Sequence, residues 1–522
     1  MTVYAACRVP VHSGPAAWST ILPGQAAPDL LSEAVTADFA VVGGGFAGLS
    51  AARRLTQLNP GARIVVLEAG RLAEGAAGRN SGFMIDLPHD LSSDDYAGRG
   101  AASDREIIAL NRAAIAFTRE AVADYRIDAA FFDPAGKVNG AVSKAGDRRN
   151  RRYAAHLAAL GETSEMLDAA AMYALTGSRY YLSGLFTPGT VMIQPAGYIR
   201  SLGRGLRENG VRICENAPVT KIRRTGPDWV VTTPKGQVSA GQVILANNGH
   251  LESFGFARQR LMHIFLYASM TVDLDAAAVR QLGGAPRWGV TPSDPMGTTL
   301  RRIDTAQGGN RIITRTCASF RPGMEASPAA LERATRVHHK KFSDRFPALA
   351  GVRTEYSWAG HLCLSRNGVS VMGKLDDGLY AACCQNGLGT VRGTLTGMGA
   401  AELASGQASA ITRHFGKQGA PSKLPPLCHS PAVDGPDLSG DKPSLLGGQK
   451  GDKRRHLFRL AGAPERMNAA EIAAKPVGVR HRRDETVVEI GIDPARRDRV
   501  ASDAFVAVIH RDGAGQSVQA RL

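Results

Sequence analysis

Gly43-Gly44-Gly45-Phe46-Ala47-Gly48 is the stretch of this chain with the most definite chemistry. A G-x-G-x-x-G turn gathers backbone N–H groups where no Cβ stands in the way, an arrangement suited to a pyrophosphate. In this reading Gly43 permits the tight turn and Gly45 lets the backbone approach the phosphates. Phe46 and Ala47 open a helix whose positive end points at them, and Gly48 allows the helix to lie close on a strand. Glu68, twenty residues after Gly48, supplies a carboxylate of the kind that accepts hydrogen bonds from an adenosine ribose. An acid at that place argues for a free ribose 2′-hydroxyl, which sets NADP aside and leaves FAD and NAD.

Those residues act only if regular elements hold them. Phe39-Ala40-Val41-Val42 reads as a short strand buried on both faces of a parallel sheet. Leu49 to Leu55 continues as a helix that Asn59-Pro60-Gly61 ends, and Ala52 keeps its crossing face small. Ile64-Val65-Val66-Leu67 is a second apolar strand, delivering Glu68. A glycine turn alone is a weak signal. Strand, turn, helix, break, strand and acid in sequence make a dinucleotide-binding βαβ unit.

Three later segments carry a resemblance. Glu68-Ala69-Gly70 is followed by Gly75-Ala76-Ala77-Gly78-Arg79-Asn80-Ser81-Gly82-Phe83, a small-residue loop in which Arg79 and Asn80 offer donors. Val219 to Ile222 and Trp229 to Thr233 read as a hairpin feeding the strand Gln242 to Ala246. Leu379-Tyr380-Ala381-Ala382 leads into Gln385-Asn386-Gly387-Leu388-Gly389-Thr390 and a helix from about Val391 to Leu403. Over residues 25 to 415 the chain resembles the glycine-box FAD-dependent oxidoreductases of the D-amino-acid oxidase type, and within them the gamma-glutamylputrescine oxidase-like group. The second glycine turn has no use in an NAD enzyme, so FAD is the expected cofactor, held without a covalent link.

The resemblance implies a Rossmann-like α/β FAD-binding domain built from residues 36–90, 190–255 and 356–415. It also implies a mixed-sheet, α+β substrate-binding domain from 91–189 and 256–355. The expected FAD contacts are Gly43, Gly45, Phe46, Ala47, Gly48, Glu68, Ala69, Arg79, Asn80, Ser81, Val219, Gly387, Leu388, Gly389 and Thr390. In such enzymes the C–N bond of an amine or amino acid, here possibly including gamma-glutamyl amines, is oxidised by hydride transfer to flavin N5. The imine hydrolyses, and oxygen or an electron carrier reoxidises the flavin. Arg79, and His361 within Trp358-Ala359-Gly360-His361-Leu362-Cys363, are the candidate catalytic residues, with an ordinary histidine role still open for His361. Some relatives attach FAD to a cysteine in this region, but the residues around Cys363 do not reproduce their pattern. Arg301, Arg302, Arg311 and Arg315 are candidates to grip a substrate carboxylate; strand alternation allows only some of them to face inward.

Composition narrows the remaining classes. The chain has 522 residues, 44% hydrophobic and 21% charged, and a net charge of +16, which favours anionic ligands without choosing one. Basic residues are spread rather than clustered, so nucleic acid is not an expected partner. A flavoprotein acting on modified tRNA, or a flavin-binding subunit of a larger dehydrogenase complex, are the alternatives to a free-standing enzyme. Seven cysteines without paired metal spacing argue against a disulfide framework or metal site and suit the cytoplasm. No signal peptide and no membrane span is expected. Residues 416–522, rich at first in Pro, Gly, Ser and Lys, read as a poorly ordered or accessory tail, with Thr486 to Ile490 and Phe505 to Ile509 as strand candidates.

Overall fold

The computed structural model describes residues 2–88 and 101–425, together with short strands between residues 427 and 510. The chain divides into two units, the first made of Met1–His89 and Ala97–Lys423. In the second, the strands Val479–Arg482, Glu485–Glu489, Arg455–Arg459 and Val506–His510 form a sheet in that order.

The β-rich run at Phe39 to Val42 is the buried end of a longer strand, Ala34–Val42. It pairs in parallel with Ile64–Leu67 on one side and Gln237–Leu245 on the other. Arg212–Cys214 and Leu379–Cys383 extend this parallel layer outward. The helix Phe46–Leu58 covers one face with Leu49, Ala51, Ala52 and Leu55 fully buried. The expected hairpin is present as Lys221–Thr225 and Asp228–Thr232, attached antiparallel to the first half of Gln237–Leu245. Val3–Ala5, from the N-terminal stretch, closes that edge.

A second, eight-stranded sheet runs in the order Thr354–Ser365, Leu261–Thr271, Arg311–Phe320, Thr299–Ile303, Trp288–Pro292, Lys137–Ala141, Ser183–Thr187, Glu165–Leu167. Residues 356–365 of the strand Thr354–Ser365 fall in the sequence segment expected to build the FAD-binding part, yet the strand pairs along its length with Leu261–Thr271 as an edge of this other sheet. Side chains on a strand alternate between faces, and here the two faces differ in kind. The outer face carries Val138, Val290, Leu300 and Ile312, packed with Phe342 and Phe346. The inner face includes Lys137, Asn139, Thr291, Thr299, Arg301 and Arg315, most of them buried polar side chains. Its Gly289 abuts Phe83 and Met192: a Cβ there would lie 2.4 Å from the Phe83 ring. Among the described residues no helix is long and apolar enough to cross a membrane.

Candidate functional site

The first glycine turn divides its glycines by task. Gly43 has φ +110°, and a Cβ on it would stand 2.7 Å from the Ala246 carbonyl oxygen. A Cβ on Gly48 would reach within 1.8 Å of the Gly43 carbonyl oxygen, so helix and strand meet only because side chains are missing. Gly45 is different: its Cβ would meet only Ala77 Cβ, at 3.5 Å. Protein packing does not demand glycine there, and the open approach fits a phosphate over the exposed N–H groups of the helix start. Glu68 follows its strand into the same place, accepting from Gly44 N–H at 2.6 Å and from Gly70 N–H at 3.2 Å. Burial raises its pKa, and these N–H groups oppose the rise. Ala217 donates its N–H to the Glu68 carbonyl at 2.8 Å, so the segment leading to buried Val219 runs beside the acid.

The second turn reaches the first through helix packing. A Cβ on Gly397 would fall 2.1 Å from the Ala47 carbonyl oxygen, and one on Gly393 would lie 3.1 Å from Phe46 Cβ. The helices Phe46–Leu58 and Val391–Ala404 therefore cross with their first turns side by side, which sets two positive helix ends at one site. Gly387 takes φ +87°, and a Cβ on Gly389 would meet nothing within 4 Å. Leu388 is buried with Phe83, Ile85 and Met192, and the Thr390 hydroxyl donates to the Phe83 carbonyl at 2.7 Å. Both turns thus leave room above their backbones at Gly45 and Gly389, as an extended dinucleotide needs.

The loop between them is held by its own polar groups. Asn80 Oδ1 accepts from Gly82 N–H at 2.8 Å while its Nδ2 donates to the Ala77 carbonyl at 2.6 Å. Arg79 donates to the carbonyls of Glu74 (2.6 Å), Ser13 (3.1 Å) and Ala359 (3.3 Å), and burial lowers its pKa to about 10. Those bonds make the Arg79 guanidinium a clasp between three chain segments.

His361 lies on the strand Thr354–Ser365. On its strand Trp358 donates its indole N–H to the Arg79 carbonyl at 3.0 Å, and a Cβ on Gly360 would lie 3.1 Å from the same oxygen. Alternation turns His361 to the opposite face. There it stacks on Phe265, with ring centroids 5.1 Å apart, and meets His263 at 3.1 Å. His263 in turn meets Glu252 at 2.7 Å. Burial and the neighbouring histidines hold the His361 pKa well below its ordinary value. Cys363 shares this face, buried with Leu261 and Cys384. The described cysteines are all free.

The four arginines differ in their partners, and of them only Arg311 forms an ion pair among the described residues. Arg301 is buried and donates to the carbonyls of Ser81, Gly82 and Ile193 and to Gln307. Arg302 points outward to the Gly283 carbonyl, and Arg311 pairs with Glu355. Arg315 donates its Nε to Ser81 Oγ at 3.3 Å, and burial pushes its pKa down to about 10. Strand pairing sets Asn139 opposite Thr291 and Thr299 opposite Arg315, and then Ala268 and Trp358 beyond. Sequence reasoning missed Lys137, Asn139, Thr291 and Thr299. Lys137 is buried against Asn139 Oδ1 and carries a pKa lowered by burial to about 8. A lysine in the apolar setting Val-Asn-Gly-Ala was the available signal, but nothing in the sequence said which face of which sheet it occupies.

Comparison with known proteins agrees with this geometry. Residues 38–403 match the family described as DAO, FAD dependent oxidoreductase. Gamma-glutamylputrescine oxidoreductase of Escherichia coli (strain K12) is 27% identical over 394 residues, covering 73% of this chain and 86% of that protein. The crystal structure of glycine oxidase from Geobacillus kaustophilus shares the fold with a TM-score of 0.59 at 17% identity, over 72% of this chain and 96% of that one. The L-amino acid deaminase of Proteus myxofaciens gives a TM-score of 0.57 at 16% identity, over 78% and 97%. With open glycine turns and a ribose-type acid in one place, and a family match across most of its length, the chain belongs to the FAD-dependent oxidoreductases of the DAO family.

Proposed function

We propose that this chain oxidises the carbon–nitrogen bond of an amine or amino acid, using non-covalently held FAD. The observation that carries the reading is the inner-face row Asn139, Thr291, Thr299 and Arg315, which contains no histidine and no carboxylate. Oxidation at a carbon bearing a hydroxyl calls for a placed base to take the hydroxyl proton. A neutral amine lends its own lone pair and needs no such base. Arg315, a fixed positive charge, disfavours a neighbouring ammonium and so favours the neutral amine.

Bound FAD would supply the two-electron acceptor. Gly43, Gly45, Gly48 and Glu68 would hold its adenosine and pyrophosphate, with Phe46, Ala47, Ala69 and Val219 alongside. Gly387, Leu388, Gly389 and Thr390 would present the second helix end where negative charge accumulates on reduction. Asn80 and Ser81 would shape the loop between these ends, and Trp358 and Ala268 would keep water from the reacting carbon. The imine product hydrolyses in water, and turnover needs oxygen or an electron carrier as final acceptor. Cys363, facing away from the Arg79 loop, supports a non-covalent cofactor. The Escherichia coli relative points to gamma-glutamyl amines as one substrate class. Incubating the holoenzyme with a panel of amines, amino acids and gamma-glutamyl amines tests the proposal. A carbonyl product together with ammonia or a released amine is expected, and formation of neither from any of them would refute it.

A further inference from the structure

We infer that the N-terminal arm, residues 3–18, straps the loop Gly78–Gly82 into place, and that Trp18 is a positioning residue for the FAD bound beside that loop. The arm precedes residues 38–403, which match the family. The inference rests on FAD touching this loop, as proposed above, and not on the identity of the amine.

From Arg79 to Gly82 the loop has no helix or strand of its own, so its carbonyls depend on other groups for partners. Trp358 donates its indole N–H to the Arg79 carbonyl at 3.0 Å, and Arg301 donates to the carbonyls of Ser81 and Gly82, each at 3.2 Å. Between them stands the Asn80 carbonyl, which accepts the indole N–H of Trp18 at 2.8 Å. None of these donors belongs to the glycine turns that would bind the dinucleotide. Four successive carbonyls are thus taken by side chains, while the backbone N–H groups of Asn80 and Ser81 have no acceptor among the described residues. Two donors are left for a ligand.

The arm is fixed along its length. Val3–Ala5 pairs with Lys221–Thr225, and Ala6 donates its N–H at 2.8 Å to the carbonyl of Thr220, one residue from Val219. Cys7 donates its N–H to the Ser253 carbonyl at 3.0 Å. Gly14, at φ +75°, lies flat on the strand Thr354–Ser365, where a Cβ would stand 2.2 Å from the Ser357 carbonyl oxygen. The Ser13 carbonyl accepts from Ala359 N–H at 3.0 Å and from the Arg79 guanidinium at 3.1 Å. The chain then enters Ala17–Thr20, where Trp18 is fully buried. Its carbonyl accepts from Gln194 Nε2 at 2.9 Å, and the Arg301 guanidinium lies over its ring, 5.1 Å from the centre. A buried indole held in this way has one place for its N–H, so it fixes the Asn80 carbonyl. One arm therefore reaches two expected FAD contacts, at Val219 and at Asn80.

The test uses the full-length protein, stripped of flavin and titrated with FAD by fluorescence quenching, with the absorbance spectrum of the reloaded form as a second readout. Trp18→Phe keeps an aromatic ring and removes the N–H. It should weaken FAD binding roughly tenfold, the effect of leaving one buried carbonyl unpaired, and shift the flavin absorbance bands as the loop moves. Trp288→Phe is the control, because Trp288 is equally buried but packs in the outer core with Phe342 and Phe346. It should leave FAD affinity within about twofold of the parent and the spectrum unchanged. Should Trp18→Phe fail to fold, Gly14→Ala carries the test: the site is exposed, the added methyl lifts the arm from its strand, and FAD binding should weaken roughly threefold or more. Parent-like affinity and spectrum in Trp18→Phe, or an equal loss in Trp288→Phe, would overturn the inference. Asn80→Ala separates the two readings. If it weakens FAD binding and Trp18→Phe does not, the loop contact stands and the strap falls. If neither changes FAD affinity, FAD does not touch this loop and both fall.

Discussion

Replacing Gly45 with Ala separates the two tasks that glycines perform in the first turn. Gly45 is the residue before the helix, at φ −89° and ψ −167°, an extended conformation that alanine adopts freely. Its Cβ would touch only Ala77 Cβ at 3.5 Å, so the FAD-free protein should lose under about 1 kcal/mol, the difference between these residues at a helix N-cap. Gly48→Ala is the contrast. Its Cβ would lie 1.8 Å from the Gly43 carbonyl oxygen, forcing the helix start to shift at a cost of about 1–3 kcal/mol, as overpacking usually does. The cofactor should feel Gly45→Ala most. A methyl group over the helix start costs one or two charge-assisted hydrogen bonds to phosphate, about 1.5–3 kcal/mol each, or at least a tenfold loss of FAD affinity. Stripping the flavin, melting each FAD-free variant and titrating FAD back by fluorescence quenching gives both numbers. The reasoning fails if Gly45→Ala binds FAD like the parent, or if its FAD-free form melts as early as Gly48→Ala.

Arg79→Lys keeps a positive charge but cannot reach the Glu74, Ser13 and Ala359 carbonyls together. It should lower stability by about 2–4 kcal/mol, read from the urea midpoint; an unchanged midpoint would show that the clasp contributes nothing. His361→Asn removes a ring that faces away from the Arg79 loop, so the rate of anaerobic flavin reduction should stay within about threefold of the parent; a hundredfold loss would restore His361 to the reaction. His338 is buried between Ser269 Oγ at 2.7 Å and the Thr316 carbonyl at 3.1 Å, and burial lowers its pKa from 6.5 to about 4. Between those values the unfolded chain takes up a proton that the folded chain refuses. Stability from this group is therefore complete above pH 6.5 and falls on acidification toward pH 4, by at most about 1.4 kcal/mol per pH unit. Melting temperatures from pH 7 to 5 should fall less steeply in His338→Gln than in the parent, and parallel slopes would contradict the assignment.

The nucleotide half of the site was legible because its chemistry is local. Gly43 to Glu68 is one continuous stretch, and each glycine, apolar run and acid has a role that spacing alone reveals. The second turn was legible for the same reason, since Gly387 to Thr390 sits between a strand and a helix in unbroken sequence. The substrate side was not. Arg301 and Arg315 are two residues of one type on neighbouring strands, both facing inward. Only the carbonyls of Ser81, Gly82 and Ile193 around Arg301 tell the two apart. The face that His361 occupies was not legible, because its distinction from Gly360 is a matter of strand parity. Parity becomes visible only when Trp358 is seen bonded to the Arg79 carbonyl. Asn139 and Thr299, each with an unpartnered buried polar atom, gave no sign because an unpartnered donor is a property of the folded surroundings, not of the residue.

Anaerobic mixing of the FAD-loaded protein with carboxylate-bearing amines, and with the hydroxy acids that match them atom for atom at the reacting carbon, tests the central claim most directly. The account predicts that flavin absorbance bleaches with at least one of the amines and persists with every matched hydroxy acid. Bleaching by hydroxy acids, with the colour unchanged in all the amines, would contradict it.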